Sequence, residues 1–307
     1  MNTTRQPPPT IYGTSQGMTP RGTSQGSVLV ALDGSPAANV ALPIARVFAR
    51  QLGARLEILH VTPEPMEKDA ALSLLHLAPK ELKGAQVHIL SGSPVEGILK
   101  VARAPDTQLI VLTTHGRIVE PGHRLGRVAA TVVANTDAPV LLVRPEAIVG
   151  REHIPTRIEH MLVPLDGSPV TFGALRPAIN LASRLHAAVD LLYVVSPGQS
   201  VPVEPGSIRT PYYVDQPQHE WPEWSREATM RLIAQAGCPS EVRARAFLGF
   251  GDIGTEVIGF AKRYKEDIVV LVRRSHFEAG RARVLRRVLK HTPCPIFLLA
   301  ARSSSAT

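Results

Sequence analysis

Short apolar runs alternate along this chain with longer stretches of helical spacing. The first run, SVLVALDGSP from Ser27, ends in Asp33-Gly34-Ser35-Pro36. It predicts a buried strand entering a turn, then a helix start that Ser35 or Asp33 can cap, with Pro36 near the first helical turn. From Ala37 to Gly53, apolar residues recur at Ala41, Ile44, Ala45, Phe48 and Leu52, the spacing of one helix face, and Gly53 is placed to close it. ARLEILHV, ending at Val61, predicts the second strand. A helical segment around Asp69–Leu82 follows, then a strand AQVHIL, a turn at Gly92-Ser93-Pro94 and a helix VEGILKVAR. The fourth strand is QLIVLTTHG. After a loop, a helix around Arg127–Ala134 precedes the fifth strand, APVLLVRP.

The same order then recurs. HMLVPLDGSP repeats the first strand with Asp166 placed 133 positions after Asp33, and AAVDLLYVV mirrors ARLEILHV. FGDIGTEVIGFAKRYKEDIVVLV mirrors SGSPVEGILKVARAPDTQLIVLT without a gap, Gly251 standing 159 positions after Gly92, and CPIFLLA mirrors APVLLVR. The change of offset leaves about 26 extra residues in a Pro-rich stretch that reads as a long loop or lid. Strands alternating with helices imply parallel β-α-β units, so each copy is expected to be an α/β domain with a parallel sheet. The expected organisation is an arm at 1–26, a first domain at 27–145, a linker at 146–158, a second domain at 159–302 with an insertion at about 196–224, and a tail at 303–307. The arm is rich in Pro, Gly, Thr, Ser and Gln, contains GTSQG twice, and is expected to be disordered.

Composition narrows the class. Hydrophobic residues make up 44% of the 307 and charged residues 20%, the balance of an ordinary soluble globule. No apolar run approaches the roughly 20 residues needed to span a bilayer, and the amino terminus lacks a signal-like apolar segment, so a cytoplasmic protein is expected. Cys238 and Cys294 have no zinc-type spacing and are expected to be two thiols in a reducing compartment. A net charge of +8 raises the question of nucleic acid, yet the basic residues are scattered except near the carboxyl end. There Arg283, Arg286, Arg287 and Lys290 share one helical face: a solvated face, an anion or nucleic-acid patch, or a contact with an acidic surface.

In open parallel sheets, ligands lie beyond the carboxyl ends of the strands. Asp33 ends the first strand, where a carboxylate accepts hydrogen bonds from ribose hydroxyls or an amine, or caps a helix. Asp166 carries the same two readings. Thr113-Thr114-His115-Gly116 ends the fourth strand, and Gly126 opens a helix at Arg127 and Val128. Glycines at such turns admit backbone N–H groups to phosphate oxygens, and the helix end adds a favourable dipole. Arg117, Arg124 and Arg127 make the place positive.

VALDGSP, the LHV ending of strand two, the THG turn, the Gly116-x9-Gly126 spacing and APVLLVRP together resemble the universal stress protein (UspA) family, over essentially the whole ordered chain as a tandem pair. The resemblance implies two tandem five-stranded parallel-sheet domains, Rossmann-like α/β/α sandwiches of the adenine nucleotide alpha hydrolase-like kind. One branch of that family binds ATP through a Gly-x-x-Gly-x9-Gly-Ser/Thr loop, and another lacks the loop. By this resemblance Asp33 and Val61 match positions near ribose and adenine, His115 a loop position near the nucleotide, and Gly116, Gly126, Arg127 and Val128 the phosphate loop. Thr113 replaces the first glycine, a change that matters if that position needs positive φ, and Arg127 replaces the Ser/Thr. In the second copy Val272-Arg273-Arg274-Ser275 occupies the turn, Ala282-Arg283 replaces Gly-Ser, Gly280 falls at the wrong spacing, and no ATP is expected there. The resemblance also implies that the fifth strands VLLVRP and PIFLLA meet edge to edge, an intramolecular pseudo-dimer, with homodimerisation open.

These residues favour a stress-response protein that binds or senses an adenine nucleotide, ATP with any accompanying magnesium, in copy one. The alternative is a protein-interaction module with both pockets degenerate. Slow ATP hydrolysis lacks its usual signatures: there is no Gly-x-x-x-x-Gly-Lys-Ser/Thr loop and no carboxylate pair near Gly116 for a metal, and Glu120 and His123 are ordinary loop residues. No catalytic residue and no protein metal site is expected, and no recognition motif supports DNA binding.

Overall fold

The central apolar runs become strands that bury both faces beneath helices, as parallel sheets require, while the third run of each copy is only partly buried at the sheet edge. The computed structural model describes residues 26–116, 125–149, 154–166, 168–195, 231, 233–234, 236–273 and 279–300. The expected arm up to residue 25, the insertion, the tail, Arg117, Glu120, His123, Arg124, Arg274 and Ser275 lie outside them.

The chain forms two compact units, Glu159–Val270 being one and the described residues up to 158 together with those from 271 the other. The latter, called unit A, contains β1 (Ser27–Ala31), α1 (Pro36–Asn39), α2 (Ala41–Leu52), β2 (Arg55–Thr62), α3 (Lys68–Leu74), α4 (Pro79–Leu82), β3 (Ala85–Ser91), α5 (Pro94–Ala102), β4 (Thr107–Thr113), α6 (Arg127–Asn135), β5 (Val140–Val143) and α7 (Pro145–Val149). Unit B contains β6 (His160–Leu165), α8 (Pro169–Gly173), α9 (Leu175–Leu185), β7 (Ala188–Val195), β8 (Ala244–Phe250), α10 (Ile253–Arg263) and the start of β9 (Ile268–Arg273). The last elements, α11 (Ala279–His291) and β10 (Ile296–Ala300), pack with unit A.

In unit A the strand order is β3-β2-β1-β4-β5-β10. Its first five strands are parallel, and β10 joins antiparallel to β5 through Ile296↔Leu142, Phe297↔Leu141 and Leu298↔Val140. The two fifth strands therefore do meet, each hiding the other's apolar edge. Phe297 also stacks on Phe48 of α2, ring centroids 6.1 Å apart, and Arg144 at the end of β5 donates to the Lys290 carbonyl of α11. In unit B the order is β9-β6-β7-β8, again parallel.

Local chemistry explains where the elements break. The helix expected from Ala37 to Gly53 is two: Ser35 caps α1, its Oγ accepting from Ala38 N at 3.1 Å, and the chain re-aims at Val40 before α2. Between the two candidate caps, Ser35 is the one that caps. Gly53 closes α2 at φ 60°, while in the second copy His186 takes the same left-handed position at φ 53°. The helical stretch at 69–82 is divided by Pro79, which starts α4. The expected linker holds the short helix α7. Both cysteines are free and buried, and burial raises the Cys238 thiol's pKa, with Glu241 adding to it. No helix among the described residues is long and apolar enough to cross a membrane.

Each copy buries an acid on its second strand. In unit A, Glu57 lies 3.6 Å from Arg55 and 3.3 Å from His88 Nε2. In unit B, Asp190 is 0% exposed and takes a bidentate pair from Arg245, Nε to Oδ1 at 2.7 Å and Nη2 to Oδ2 at 2.5 Å. Buried Glu266 faces this pair, with Asp267 and Tyr264 beside it, and its pKa rises from 4.5 to about 9 through burial first and then the Asp190 charge. Below pH 4.5 the folded and unfolded chains both hold that proton. Above it the unfolded chain releases the proton while the folded chain keeps it, so stability falls until about pH 9 and then levels off. Urea unfolding between pH 5 and 8 is expected to show this decline, at most about 1.4 kcal/mol per pH unit. Glu266→Gln, which holds its protons at every pH, should flatten it.

Candidate functional site

The order of unit A reverses direction between β1 and β4, and the crevice at their carboxyl ends is where such sheets bind ligands. A cavity of about 510 Å³ opens there, within the size range of small-molecule sites. Among the described residues it is lined by Asp33 after β1, Val61 in β2, Thr113 at the end of β4 with His115 and Gly116 after it, and Gly126, Arg127 and Val128 at the start of α6. Apolar walls come from Leu32, Ala38, Leu59, Ile98, Leu112 and Ala129.

Asp33 Oδ1 accepts from Ser35 N at 2.9 Å. Its other oxygen faces Gly116 so closely that a methyl there would lie 2.3 Å from Oδ2. Gly116 is thus required by close approach, since it does not have positive φ. Thr113 does not either: it ends β4 in register with Val143, so threonine is unstrained at the position of the expected glycine.

Thr114 ties the loop together. Its N–H donates to Val143 O at 2.9 Å, its carbonyl accepts from Gly126 N at 2.7 Å, and its hydroxyl lies 3.0 Å from His115 Nδ1. The Gly126 amide is therefore turned onto the protein, not left open for a ligand as expected. Among the described residues, the first N–H groups of α6 are the next donors in line, because they have no intrahelical acceptor and Gly126 brings no capping side chain. The Arg127 side chain is exposed and leaves the cavity open.

Two contributors were not singled out in the sequence. Ala38 keeps the wall beside Asp33 low, and Gly97 lets α5 settle on β2, where an added methyl would meet Val61 Cγ2 at 2.8 Å. Both become visible when the copies are set side by side. Thr171 stands at the Ala38 position, and its hydroxyl joins the N–H and hydroxyl of Ser168 in donating to Asp166 Oδ1, at 2.8, 3.0 and 2.6 Å. Asp166 is thereby committed to the start of α8. Leu90 and Gly97 of the first copy become Gly249 and Glu256, the Glu256 carboxylate lying 3.2 Å from where a Gly249 Cβ would be. Arg273, at the Thr114 position, is buried and donates to the carbonyls of Thr136 and, at 3.4 Å, Ala138. Burial lowers its pKa, and Asp137 partly offsets this. In the second copy these positions are engaged in packing, Asp166 and Glu256 within the copy itself and Arg273 against the first copy's carbonyls.

Comparison with known proteins agrees with this geometry. The model of the universal stress protein family matches residues 26–144 and again 157–299. A curated relative from Thermus aquaticus, "Universal stress protein in QAH/OAS sulfhydrylase 3'region", is 33% identical over 134 residues, 38% of this chain and 98% of the relative. Among solved structures, a universal stress protein from Archaeoglobus fulgidus DSM 4304 superposes with TM-score 0.60 at 14% identity, over 91% of this chain and 100% of that one. A functionally unknown protein from Pseudomonas aeruginosa PAO1 gives 0.58 at 16%, over 91% and 93%. At such identities the structures speak for the fold alone. With two consecutive matches to the family model spanning most of its length, this chain belongs to the universal stress protein family as a tandem member.

Proposed function

We propose that this protein is a non-catalytic stress protein of the cytoplasm that binds an adenine nucleotide in the cavity of its first copy, while the second copy serves as scaffold. The carrying observation is convergence: one 510 Å³ cavity brings together the ends of β1, β2 and β4 and the start of α6, with an apolar floor and an uncapped helix end at one side. An apolar cleft suits a purine, Asp33 is placed for ribose hydroxyls, and the first turn of α6 with Arg127 is placed for phosphate. Magnesium would arrive with a polyphosphate. Among the described residues no group of three or more metal-ligating side chains awaits it.

Isothermal calorimetry on the full chain with AMP, ADP and ATP tests the reading. Saturable heat with at least one of them is expected, reduced about tenfold or more in affinity by Gly126→Arg, which places a bulky side chain in the cavity mouth. No heat from any adenine nucleotide would remove the proposal and leave the interaction-module reading.

A further inference from the structure

Away from the cavity and independent of it, we propose that the outward face of helix α11 (Ala279–His291) binds the phosphate backbone of a nucleic-acid duplex. The helix reads AGRARVLRRVLKH, with four arginines, one lysine and no acid. Val288 and Leu289 are buried, at 0% and 3% exposure, whereas Arg286, Arg287 and Lys290 are exposed. The apolar side is committed to the fold and the basic side faces solvent. By register Arg283 stands one turn before the arginine pair and Lys290 one turn after it, a row about 10 Å long.

The duplication supplies an internal control. Cys294 stands 156 positions after Ala138, and the same shift sets α11 on α6, with buried Val132 and Val133 opposite Val288 and Leu289. On the outer face, Ala130, Thr131 and Ala134 of α6 stand where α11 has Arg286, Arg287 and Lys290. The helix therefore forms in this fold without those charges, and packing does not require them. They work against it: Lys290 follows Arg286 by four residues and Arg287 by three, so like charges are neighbours, with no acid within the helix to offset them. A polyanion laid along the row relieves this repulsion and releases its own counterions.

The occupant follows from the side chains. Guanidinium groups make paired N–H contacts to phosphate oxygens, and arginine fills three of the four places in the row. A helix that lies on a membrane needs its apolar face for lipid, and here that face is buried. Single strands are gripped by stacking on aromatic rings, and this helix contains none. A row of one sign also suits a uniformly charged polymer better than a protein surface of mixed signs. Arg144 of β5 donates to the Lys290 carbonyl and fixes the end of the helix, so the row is presented with little ordering left to lose.

Fluorescence anisotropy of the full-length protein with labelled DNA and RNA duplexes of mixed sequence tests this. Binding is expected at about 50 mM salt and should weaken about a hundredfold by about 200 mM, the loss that roughly four phosphate contacts give. The variant Arg286→Ala/Arg287→Thr/Lys290→Ala, which carries the residues of α6, should bind about thirtyfold or more weakly, with a salt slope lower by about 3 and an unchanged circular dichroism spectrum. Should it not fold, Arg286→Ala and Lys290→Ala taken singly are each expected to lower the slope by about 1. Absence of duplex binding at the lower salt overturns the proposal, and so does a folded triple variant, or a pair of single variants, that binds with the wild-type slope. Poly-glutamate or phosphatidylserine vesicles bound as tightly as either duplex would assign the face to an acidic protein or to a membrane instead.

Discussion

Arg245→Leu is expected to cost the chain about 3–5 kcal/mol of stability, read as a lowered urea midpoint. The reason lies in what remains behind. Asp190 is 0% exposed on β7 and receives a bidentate pair of hydrogen bonds from this guanidinium. Glu266, also buried, adds a second carboxyl whose proton is already held tightly by the same surroundings. Without the arginine, a buried carboxylate must either stay charged and unmatched or take up a proton at neutral pH. Arg245 also lies over the Phe247 ring at 5.6 Å, a smaller contact that disappears with it. The double variant Arg245→Leu/Asp190→Asn should recover much of the loss, because both ions leave together. Arg245→Lys should recover less, since an ammonium cannot make the two-pronged contact.

Gly116→Ala is expected to weaken nucleotide binding by about thirtyfold, roughly 2 kcal/mol, while lowering stability by only about 1 kcal/mol. The added methyl would lie 2.3 Å from Asp33 Oδ2 and 3.2 Å from its Cγ. A carboxylate can rotate away from such a clash, so the fold loses little beyond the Ser35 N–H bond to Oδ1. What changes is the aim of Asp33, and with it the proposed ribose contact. Calorimetry and thermal melts on the same sample separate the two effects. In an Asp33→Ala background the Gly116→Ala change should become nearly silent, because its target is gone.

Much of this was legible in order and spacing. The run of Val and Leu into Asp33-Gly34-Ser35-Pro36, and its return 133 positions later, identify strand, turn, capped helix and duplication before any coordinate is seen. Asp33, Val61, Thr113, His115, Gly116, Gly126, Arg127 and Val128 do line one cavity. Their individual geometry was less legible. Glycine at 116 suggested open amides, whereas close packing against Asp33 is what requires it, and the Gly126 amide is absorbed by Thr114. Positive φ, the concern raised by Thr113, belongs instead to Gly92 and Gly251, at 109° and 120°, where each copy turns into the helix after its third strand. The Leu90/Gly97 to Gly249/Glu256 exchange was written in the repeat but has meaning only once helix and strand are known to touch there.

The sequence by itself determined the alternation of strands and helices, the duplication, and the strand ends at which chemistry collects, because these follow from local periodicity and from the chain order of apolar runs. Only the tertiary structure decided which donors remain open, which acids are paired, and that the first copy keeps a cavity while Asp166, Glu256 and Arg273 of the second are engaged in packing. Those outcomes depend on contacts made in three dimensions, a methyl or hydroxyl at one position deciding what a carboxylate at another meets.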